Sequence, residues 1–327
     1  MIEMRDIRKT FRREQRKRGV LAAARSLFHR DYDEIRALDG VSFSVGKGEI
    51  AGFIGPNGAG KSTAIKIMGG ILVPDSGDCR ILGTCPWKNR RNYVGHIGVV
   101  FGQRTQLWWD VPVRDSMDLL GDIYKVAKGR FRENLAELSE LLELGPLLSI
   151  PLRQLSLGQR MRCEIAASLL HDPEILFLDE PTIGLDAVSK LAVRRVIAEL
   201  NQRRQVTVIL TSHDMDDIEA LTNRILLIGT GRILYDGPLA KIRARFDRRR
   251  RLELSFEAGE VPPEPEGTRI ISRKESHVVY EVDTGLISVS AALRVLGEGL
   301  TITDMSAASR PIEEIIASLY QEGGLDC

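Results

Sequence analysis

A glycine-rich loop constrains the fold of this chain more than any other feature. The loop runs from Gly55 to Thr63 and has the pattern G-x-x-x-x-G-K-[ST]. The apolar run EIAGFI before it predicts a buried strand, and TAIKIMGGIL after it has the apolar pattern of a helix. A strand, a glycine-rich loop and a helix in this order are typical of a phosphate-binding loop. We therefore expect an α/β core built around a nucleotide phosphate site.

The side chains of this loop match the chemistry of a triphosphate. Glycines let backbone amides converge on phosphate oxygens, and the following helix adds partial positive charge at its N-terminus. Lys61 is expected to reach the β- and γ-phosphates, and Ser62 is expected to bind Mg²⁺. The predicted nucleotide contacts in the loop are Gly55, Asn57, Gly58, Gly60, Lys61, Ser62 and Thr63.

A second apolar run, EILFLDE at 174–180, predicts a buried strand that ends in two acids. The carboxyl ends of strands form the ligand edge of an open α/β sheet, so Asp179 and Glu180 are expected there. Asp179 is predicted to hold Mg²⁺, directly or through water. Glu180 is predicted to orient the attacking water and to remove its proton. An ordinary pair of helix-capping acids is the alternative interpretation.

Apolar strands and amphipathic helices alternate along the rest of the first 240 residues. Helical periodicity covers 113–149, 159–171 and 187–204. VTVILTS predicts a third buried strand, followed by a helix at about 215–222. This alternation predicts an α/β core with a mainly parallel sheet.

The composition changes after residue 240. KIRARFDRRRR holds seven basic residues and one acid. The runs LELSF, TRIIS and HVVYEV predict short strands, and ISVSAALRVLG and PIEEIIASLY predict helices. We therefore divide the chain into a core domain at 1–240, a basic linker at 241–251 and a small α+β domain at 252–327.

Overall charge and hydropathy limit the possible functions. The chain has 327 residues and a net charge of +1, which excludes a uniformly basic nucleic-acid coat, and we expect no nucleic-acid partner. No run reaches the roughly 18 apolar residues that span a bilayer, and MIEMRDIRKTF lacks the apolar core of a signal peptide. We expect the chain to remain on the side of the membrane where it is made. Without a CxxC pair, the thiols are expected to be reduced at Cys79, Cys85, Cys163 and Cys327.

Four further motifs accompany the phosphate loop and the acid pair. Gln103 ends VVFGQ, residues 155–159 are LSLGQ, residues 184–186 are GLD, and His213 ends VTVILTSH. In this order along roughly the first 240 residues, the set resembles the ATP-binding-cassette (ABC) ATPases, the nucleotide-binding subunits of transporters. The resemblance implies a P-loop ABC core with antiparallel β and α-helical subdomains.

The resemblance also implies roles for the added motifs. Gln103 would sense Mg²⁺ or the water and pass that state to a membrane partner, and His213 would contact the γ-phosphate. The implied catalytic residues are Lys61, Gln103, Glu180 and His213. The implied metal ligands are Ser62, Gln103 and Asp179.

The signature LSLGQ implies a dimer. Ser156 and the amides near Gly158 precede a predicted helix, so they form a second anion-binding cap. In the family this cap closes over the nucleotide of the other subunit, which makes Ser156, Gly158, Gln159 and Asp186 implied nucleotide contacts. One chain then holds halves of two sites, and a homodimer or a paired ATPase subunit completes two ATP sites. Leu157 replaces the usual glycine, which leaves open how closely the cap approaches the nucleotide at that position.

Residues 12–36 interrupt the pattern after a predicted strand at 1–11. The run RREQRKRGVLAAARSLFHR holds seven basic residues, one acid and apolar residues at helical spacing, which predicts a basic amphipathic helix. This helix could bind an anionic membrane surface or dock on a membrane subunit, and a solvated basic loop is the third interpretation. The insertion separates Phe11, the implied adenine-stacking residue, from its usual place, and Tyr32 is the alternative.

The most specific resemblance is to ABC-2-type exporter ATPases of the daunorubicin and viologen classes, on FGQRTQLWWD, LSLGQRMRCE and PIEEIIASLY. It implies a motor that hydrolyses ATP and drives export through separate integral membrane permease subunits, peripheral at the cytoplasmic face of the inner membrane. Trp108 and Trp109 are either contacts to such a subunit or core residues. The alternative function is a soluble ABC ATPase in DNA repair, translation or iron–sulfur assembly. The sequence leaves the cargo open.

Overall fold

The computed structural model describes residues 1–14, 32–102, 104–212, 214–246, 249–309 and 314–316. The chain divides into two compact units, Met1–Gly237 and Pro238–Cys327, which we describe one at a time. Several predictions fall on residues outside the described ranges. These are the catalytic candidates Gln103 and His213, the amphipathic helix, whose apolar residues fall within 15–31, and the thiol of Cys327. The predicted helix PIEEIIASLY is described only at 314–316, which are helical.

The described strands are numbered along the chain as β1 (Ile2–Glu14), β2 (Tyr32–Val45), β3 (Ile50–Ile54), β4 (Ser76–Ile81), β5 (Ile97–Phe101), β6 (Ile175–Asp179), β7 (Thr207–Thr211), β8 (Arg224–Gly229), β9 (Arg232–Pro238), β10 (Arg249–Phe256), β11 (Thr268–Lys274), β12 (His277–Asp283) and β13 (Ile302–Ser309). The described helices are α1 (Lys61–Met68), α2 (Arg90–Tyr93), α3 (Val113–Ile123), α4 (Lys128–Leu141), α5 (Leu157–Leu169), α6 (Ala187–Arg204), α7 (Met215–Leu221), α8 (Leu239–Phe246) and α9 (Val289–Gly299). None of these helices is both long and apolar enough to cross a bilayer.

A six-stranded sheet forms the centre of the first unit, in the order β5-β6-β7-β3-β8-β9. The pairs β5–β6, β6–β7, β7–β3 and β3–β8 are parallel. Every residue of β6 and β7 is buried, as in parallel sheets that are covered on both faces. The predicted α/β core with a mainly parallel sheet is therefore confirmed.

The register of this sheet brings its loops together at one edge. Phe101 of β5 lies opposite Asp179 of β6, and Asp179 lies opposite Thr211 of β7. Thr211 in turn lies opposite Phe53, near the end of β3. Because the strands are parallel, the loops that follow β3, β5, β6 and β7 meet at the carboxyl edge of the sheet.

A three-stranded antiparallel sheet, in the order β2-β1-β4, shares the core of the parallel sheet. Ile2, Met4 and Cys79 lie in one buried cluster with Phe53 and Phe177. This sheet corresponds to the antiparallel β subdomain that the family resemblance implies.

The hairpin of β1 and β2 is longer than the sequence predicts. Pairing continues past Phe11 until Glu14 lies opposite Tyr32, so both ends of the predicted insertion at 12–36 are strand. Arg12 and Glu34 form an ion pair across the two strands, with Nε and Oε1 3.3 Å apart. The predicted strand end at Phe11 is wrong because cross-strand backbone hydrogen bonds carry the ladder through charged residues without an apolar pattern.

The helical segment predicted at 113–149 is two helices, α3 and α4, followed by a 3₁₀ turn at Gly145–Leu147. Lys125, between the two helices, adopts a positive φ of 56°, which a continuous right-handed helix does not allow. The next helix, α5, begins at Leu157, two residues before its predicted start. The helix begins earlier than predicted because Ser156 caps its N-terminus with the hydrogen bonds described below.

The second unit is an antiparallel sheet in the order β11-β12-β10-β13, with α9 packed against it. Residues of β10 and β12 alternate between buried and partly exposed positions. Their buried side chains pack on Ala292 and Leu296 of α9. Strand β13 has no predicted counterpart because nearly all of its residues are exposed, which removes the apolar alternation from the sequence.

The described residues of the basic stretch at 241–251 form regular structure. Helix α8 covers its first part, and β10 begins at Arg249. Ile242 is buried, so the helix has an apolar side. Arg249 pairs with Glu281 across the sheet, with Nη1 and Oε1 2.9 Å apart. The role of this stretch as a linker between two domains stays a prediction.

The buried thiols of the first unit are unreactive. Cys79 and Cys163 are fully buried, and burial raises the pKa of each thiol to about 12. Both are unpaired, as is Cys85. A thiol whose pKa is raised this far above neutral pH remains protonated, so it is a poor nucleophile.

We expect the stability of this unit to depend on pH through His171. The ring donates from Nε2 to the carbonyl of Ile97 (2.9 Å) and stacks on Tyr124 with centroids 3.9 Å apart. Burial lowers the pKa of His171 below its usual value. The folded state then binds the proton less well than the unfolded chain, so stability is lost as pH falls below about 6.5. Thermal unfolding from about pH 7.5 to about pH 5.5 should show a smaller decrease of Tm in His171→Gln than in the wild type.

Candidate nucleotide site

A cavity of about 590 Å³ lies at the carboxyl edge of the parallel sheet. It is bounded by the loops after β3, β5 and β6 and by the first turn of α1. Its lining residues are Ala37, Pro56, Asn57, Gly58, Gly60, Lys61, Ser62, Thr63, Lys66, Phe101, Gly102, Arg104, Asp179, Glu180 and Ile183. The structure thus brings the predicted phosphate loop and the predicted acid pair to one cavity.

Gly60 makes the turn from the loop into α1. Its φ is +112°, a conformation that residues with a Cβ rarely adopt. A Cβ at this position would also lie 2.4 Å from the carbonyl oxygen of Ala37. Glycine is therefore required twice over, by conformation and by space. The turn that results points the free amides of the first turn of α1 toward the cavity.

The ammonium group of Lys61 binds the backbone of the phosphate loop. Its Nζ donates to the carbonyl oxygens of Gly55 (2.6 Å) and Pro56 (3.3 Å), although the residue is almost fully buried. Burial lowers the pKa of Lys61, and the carboxylates of Glu180 and Asp179 act in the opposite direction. The cation is thus held in the cavity wall between the loop and the acid pair, where an anionic phosphate would replace the carbonyl contacts.

Ser62 and Asp179 form the candidate cation site. Ser62 Oγ donates to Asp179 Oδ1 at 3.1 Å, so a hydroxyl and a buried carboxylate lie side by side at the cavity. Within the described ranges, no three His, Cys, Asp or Glu side chains could share one metal. A single carboxylate with a hydroxyl suits Mg²⁺, which keeps waters and takes phosphate oxygens for its other ligands.

Glu180 is held in an unusual backbone conformation beside this pair. Its φ is +57°, which a residue with a side chain adopts only when the surroundings impose it. Its amide donates to the carbonyl oxygen (3.1 Å) and to Oγ1 (3.0 Å) of Thr211. Gly102 donates its amide to the carbonyl of Asp179 at 2.8 Å. Neighbouring strands thus hold the backbone of Glu180, and Glu180 is one of the residues that line the cavity.

Thr211 is a site residue that sequence analysis missed. Its hydroxyl donates to Asp179 Oδ1 at 2.8 Å and accepts from the amide of Glu180. One fully buried side chain therefore binds both the carboxylate of Asp179 and the backbone of Glu180. The only signal in the sequence was its place at the end of the buried strand VTVILTS, and that signal gains meaning only once β7 is known to lie beside β6.

Asp217 links the segments that follow β6 and β7. Its buried carboxylate accepts from Thr182 and from Ser212 Oγ (3.2 Å), and Arg194 of α6 pairs with it at 2.5 Å. A buried charge requires such partners, so the three segments are bound to one another. Ser212 directly precedes His213, which lies outside the described residues.

The signature residues form a helix cap on the surface. Ser156 Oγ accepts from the amide of Gln159 (3.2 Å), and the amide of Ser156 donates to Gln159 Oε1 (2.9 Å). A Cβ on Gly158 would lie 2.2 Å from Ser189 Oγ, so this glycine lets α5 approach α6 closely. Leu157, in place of the usual glycine, has its Cδ2 beside Gly184, 3.1 Å from where a Cβ there would lie. The leucine therefore packs inside its own chain.

Asp186 caps α6. Its carboxylate accepts from the amide and from the hydroxyl of Ser189, both at 2.9 Å. These hydrogen bonds hold the pKa of Asp186 below its usual value. The carboxylate of Asp186 thus caps a helix of its own chain. The contact of Asp186 with a nucleotide stays a prediction.

The aromatic candidates for adenine stacking lie on the β1–β2 hairpin. Phe11 is 39% exposed, with Lys9 Nζ 5.8 Å from its ring centroid, and is not among the described residues that line the cavity. Ala37 of the adjacent strand is one of those lining residues. Tyr32 is the last paired residue of the hairpin. The choice between Phe11 and Tyr32 stays a prediction.

The fold and the cavity define a phosphate-loop nucleotide hydrolase. The family model described as ABC transporter matches residues 38–183. The ABC transporter ATP-binding protein NatA of Bacillus subtilis (strain 168) is 31% identical over 208 residues, which are 64% of this chain and 84% of NatA. The chain therefore belongs to the ATP-binding proteins of ABC transporters. It is an ATP-binding enzyme that hydrolyses ATP.

Two further comparisons extend this result. The daunorubicin resistance ATP-binding protein DrrA3 of Streptomyces coeruleorubidus is 29% identical over 298 residues, 88% of this chain and 92% of DrrA3. The dimeric post-hydrolysis structure of the ATP-binding cassette MJ0796 with ADP and Pi matches with a TM-score of 0.60 and 25% identity. That match covers 73% of this chain and 99% of the cassette.

We expect Thr211→Val to impair the site, because it leaves Asp179 and the amide of Glu180 without a buried hydroxyl partner. The free energy of unfolding should fall by about 1–3 kcal/mol. The rate of ATP hydrolysis should fall about tenfold or more, because the two acids lose their common support. Thr211→Ser keeps the hydroxyl and should retain most of the activity. Urea unfolding and a phosphate-release assay on the two variants test this. Equal rates of ATP hydrolysis in Thr211→Val and Thr211→Ser would contradict this prediction.

Proposed function

We propose that this chain is the motor subunit of an ABC-2-type exporter, in which two copies, or this chain and a paired ATPase subunit, enclose two Mg-ATP. One observation carries the dimer. The described residues that line the cavity do not include any of 155–159, while Ser156 is exposed at the surface of the same chain. In a two-fold assembly, the exposed signature cap of one copy can complete the nucleotide cavity of the other copy.

In the first half of the site, the phosphate loop holds the triphosphate. The amides around Gly58 and Gly60 and the ammonium of Lys61 bind the β- and γ-phosphates. Ser62 and Asp179, with Gln103, would hold Mg²⁺, which when bound neutralises the developing charge on the phosphate oxygens. Asn57 and Thr63 line the same cavity and contact the nucleotide from the loop.

Hydrolysis in this proposal depends on Glu180. Its backbone is held by Thr211, and its carboxylate accepts the proton of the attacking water and orients that water toward the γ-phosphate. His213 contacts the γ-phosphate, and Gln103 responds to the state of the site. The second copy contributes Ser156, Gly158, Gln159 and Asp186 across the dimer interface.

Exposed apolar residues that follow the glutamine loop support a membrane partner. Trp108 is 42% exposed and Trp109 is 48% exposed, which excludes the alternative that both are core residues. Val111, Leu119 and Ile123 are exposed apolar residues of the same part of the chain. An exposed indole is a strong anchor for a protein partner. We assign this surface to the integral membrane permease subunits, which places the chain at the cytoplasmic face of the inner membrane.

The exporter class is supported by a relative that matches along most of both chains. DrrA3 is named for daunorubicin resistance and is covered over 92% of its length, so the match extends beyond the cassette into the second unit. The soluble alternative in DNA repair, translation or iron–sulfur assembly has no comparable support. The cargo is expected to be selected by the membrane subunits.

The proposed mechanism predicts that Glu180→Gln binds ATP but does not hydrolyse it. The amide keeps the size of the carboxylate and loses its basicity, so the closed dimer should accumulate. Sedimentation with Mg-ATP should show a stable dimer in this variant, with hydrolysis lowered at least about a hundredfold. Lys61→Ala is the control that should lose nucleotide binding and remain a monomer.

Two outcomes would contradict this proposal. Full turnover in Glu180→Gln would exclude Glu180 as the base. A Glu180→Gln protein that binds Mg-ATP and stays monomeric at every concentration would exclude the shared site.

The membrane assignment predicts that Trp109→Ser weakens binding to the permease. Retention of the chain with detergent-solubilised inner-membrane proteins should fall about tenfold or more, since a buried tryptophan anchor contributes over 1 kcal/mol. ATP binding should stay unchanged, because Trp109 does not line the cavity. Val261→Ser, at a 70% exposed residue of the second unit, is the matched control. Equal retention of both variants would count against this surface.

A further inference from the structure

The strained backbone of Glu180 is held by hydrogen bonds on both of its sides. A φ of +57° persists at a residue with a side chain only where the surrounding structure imposes it. On the side of β6, the amide of Glu180 donates to Thr211, and the amide of Gly102 donates to the carbonyl of Asp179. These contacts fix the chain up to Glu180. The residues that follow Glu180 are held by a second set of contacts.

Asp217 of α7 binds the turn that follows Glu180. The hydroxyl of Thr182, two residues after Glu180, donates to Asp217 Oδ2. Thr182 is 3% exposed, and Asp217 is fully buried. The amide of Ile183 closes the same turn by donating to the carbonyl of Glu180 at 3.3 Å. The turn is thus bound to a helix distant in sequence by a buried hydrogen bond to a charged acceptor, which is stronger than one between neutral groups.

The carboxylate of Asp217 is itself held from two other directions. Ser212 Oγ donates to Oδ2 at 3.2 Å, and Arg194 Nε donates to Oδ1 at 2.5 Å. Ser212 directly follows β7, and Arg194 lies on α6. A buried carboxylate with partners on three segments has little freedom to move, because each displacement would leave a buried donor unpaired. Asp217 is therefore a fixed point for Thr182.

Asp217 supports the site without forming its surface. Neither Asp217 nor Thr182 is among the described residues that line the cavity, whereas Glu180 is. Loss of the bond between Thr182 and Asp217 would leave the phosphate loop and the candidate cation site in place. It would release the turn after Glu180, so the strained backbone could relax and carry the carboxylate with it. A displacement of about 1 Å in a reacting group is enough to lower a rate about a hundredfold.

We propose that Asp217 is a positioning residue for ATP hydrolysis, which acts through Thr182 to hold the backbone of Glu180 in its strained conformation. The inference rests on the proposed function, because it takes Glu180 as the base. Asp217 acts on the base alone and makes no contact with the nucleotide. Its loss therefore lowers the rate of hydrolysis and leaves the affinity for ATP unchanged.

The test measures kcat and KM for hydrolysis of Mg-ATP by the purified full chain. Thr182→Val removes the hydroxyl and nearly keeps the shape of the side chain, while Thr182→Ser keeps the hydroxyl. Asp217→Asn replaces the carboxylate by an amide, whose single oxygen cannot serve all three donors.

Thr222→Val is the matched control for a loss of stability. Thr222 is also buried, and its hydroxyl donates to the carbonyl of Ile218 at 2.9 Å. Thr222→Val therefore removes one buried hydrogen bond at the end of α7, as Thr182→Val does at the turn after Glu180. The partner of Thr222 belongs to α7 and not to that turn.

We expect Thr182→Val to lower kcat at least about tenfold and to change KM less than about twofold, because the base is displaced and the phosphate contacts remain. Asp217→Asn should show the same pattern and a larger decrease of Tm, since Arg194 loses its charged partner. Thr182→Ser should restore most of kcat. Thr222→Val should lower Tm about as much as Thr182→Val and leave kcat unchanged.

The double variant Glu180→Gln/Thr182→Val tests whether Thr182 acts through Glu180. Once the base is removed, its position no longer affects the rate. In the Glu180→Gln background, Thr182→Val should therefore lower the remaining hydrolysis less than about twofold.

Three results would overturn the inference. These are an unchanged kcat in Thr182→Val, an equal loss of kcat in Thr222→Val, and a loss in the double variant as large as the loss that Thr182→Val causes alone. The rate of Glu180→Gln separates this inference from the proposed function. If Glu180→Gln hydrolyses ATP at the full rate, the proposed function fails. If Glu180→Gln is inactive and Thr182→Val keeps the full rate, only the role of Asp217 fails.

Discussion

The hydrogen bond from Thr211 to Asp179 is the interaction on which the nucleotide site depends. It joins the carboxyl ends of two adjacent parallel strands, and the same hydroxyl accepts from the amide of Glu180. Ser62, at the start of α1, reaches the same carboxylate from the phosphate loop. Because the register of the sheet sets these distances, a shift of one residue between β6 and β7 would move the hydroxyl of Thr211 away from Asp179 and from the amide of Glu180.

The two nucleotide half-sites of the chain are physically connected, although they serve different nucleotides in the proposed dimer. The cavity uses the loops at the carboxyl edge of the sheet, and the signature cap lies at the N-terminus of α5. Buried acids link the parts. Asp217 binds the segments after β6 and β7 to α6, and Glu164 of α5 binds Thr105 and Gln106, which follow β5. Each such carboxylate is costly alone and stabilising only with all its donors.

Much of the fold was predictable from local patterns, and the failures have a common cause. EILFLDE and VTVILTS predicted buried strands because parallel strands covered on both faces are continuously apolar. The strand end at Phe11 was wrong because charged residues there are paired across strands with residues distant in sequence. Strand β13 was missed since its side chains are exposed. Each failure concerns contacts between segments, which periodicity does not encode.

The sequence by itself determined the chemistry of the site. The loop from Gly55 to Thr63 and the acids at 179 and 180 need particular residue types at fixed spacing, so their identity can be read directly. Only the tertiary structure decided which residues support them. Thr211 acts through strand order, and it has no local signature that separates it from an ordinary buried polar residue. The physical reason is that a phosphate is bound by residues that are consecutive in the sequence. A carboxylate is oriented by residues that are distant in the sequence and adjacent in the folded structure.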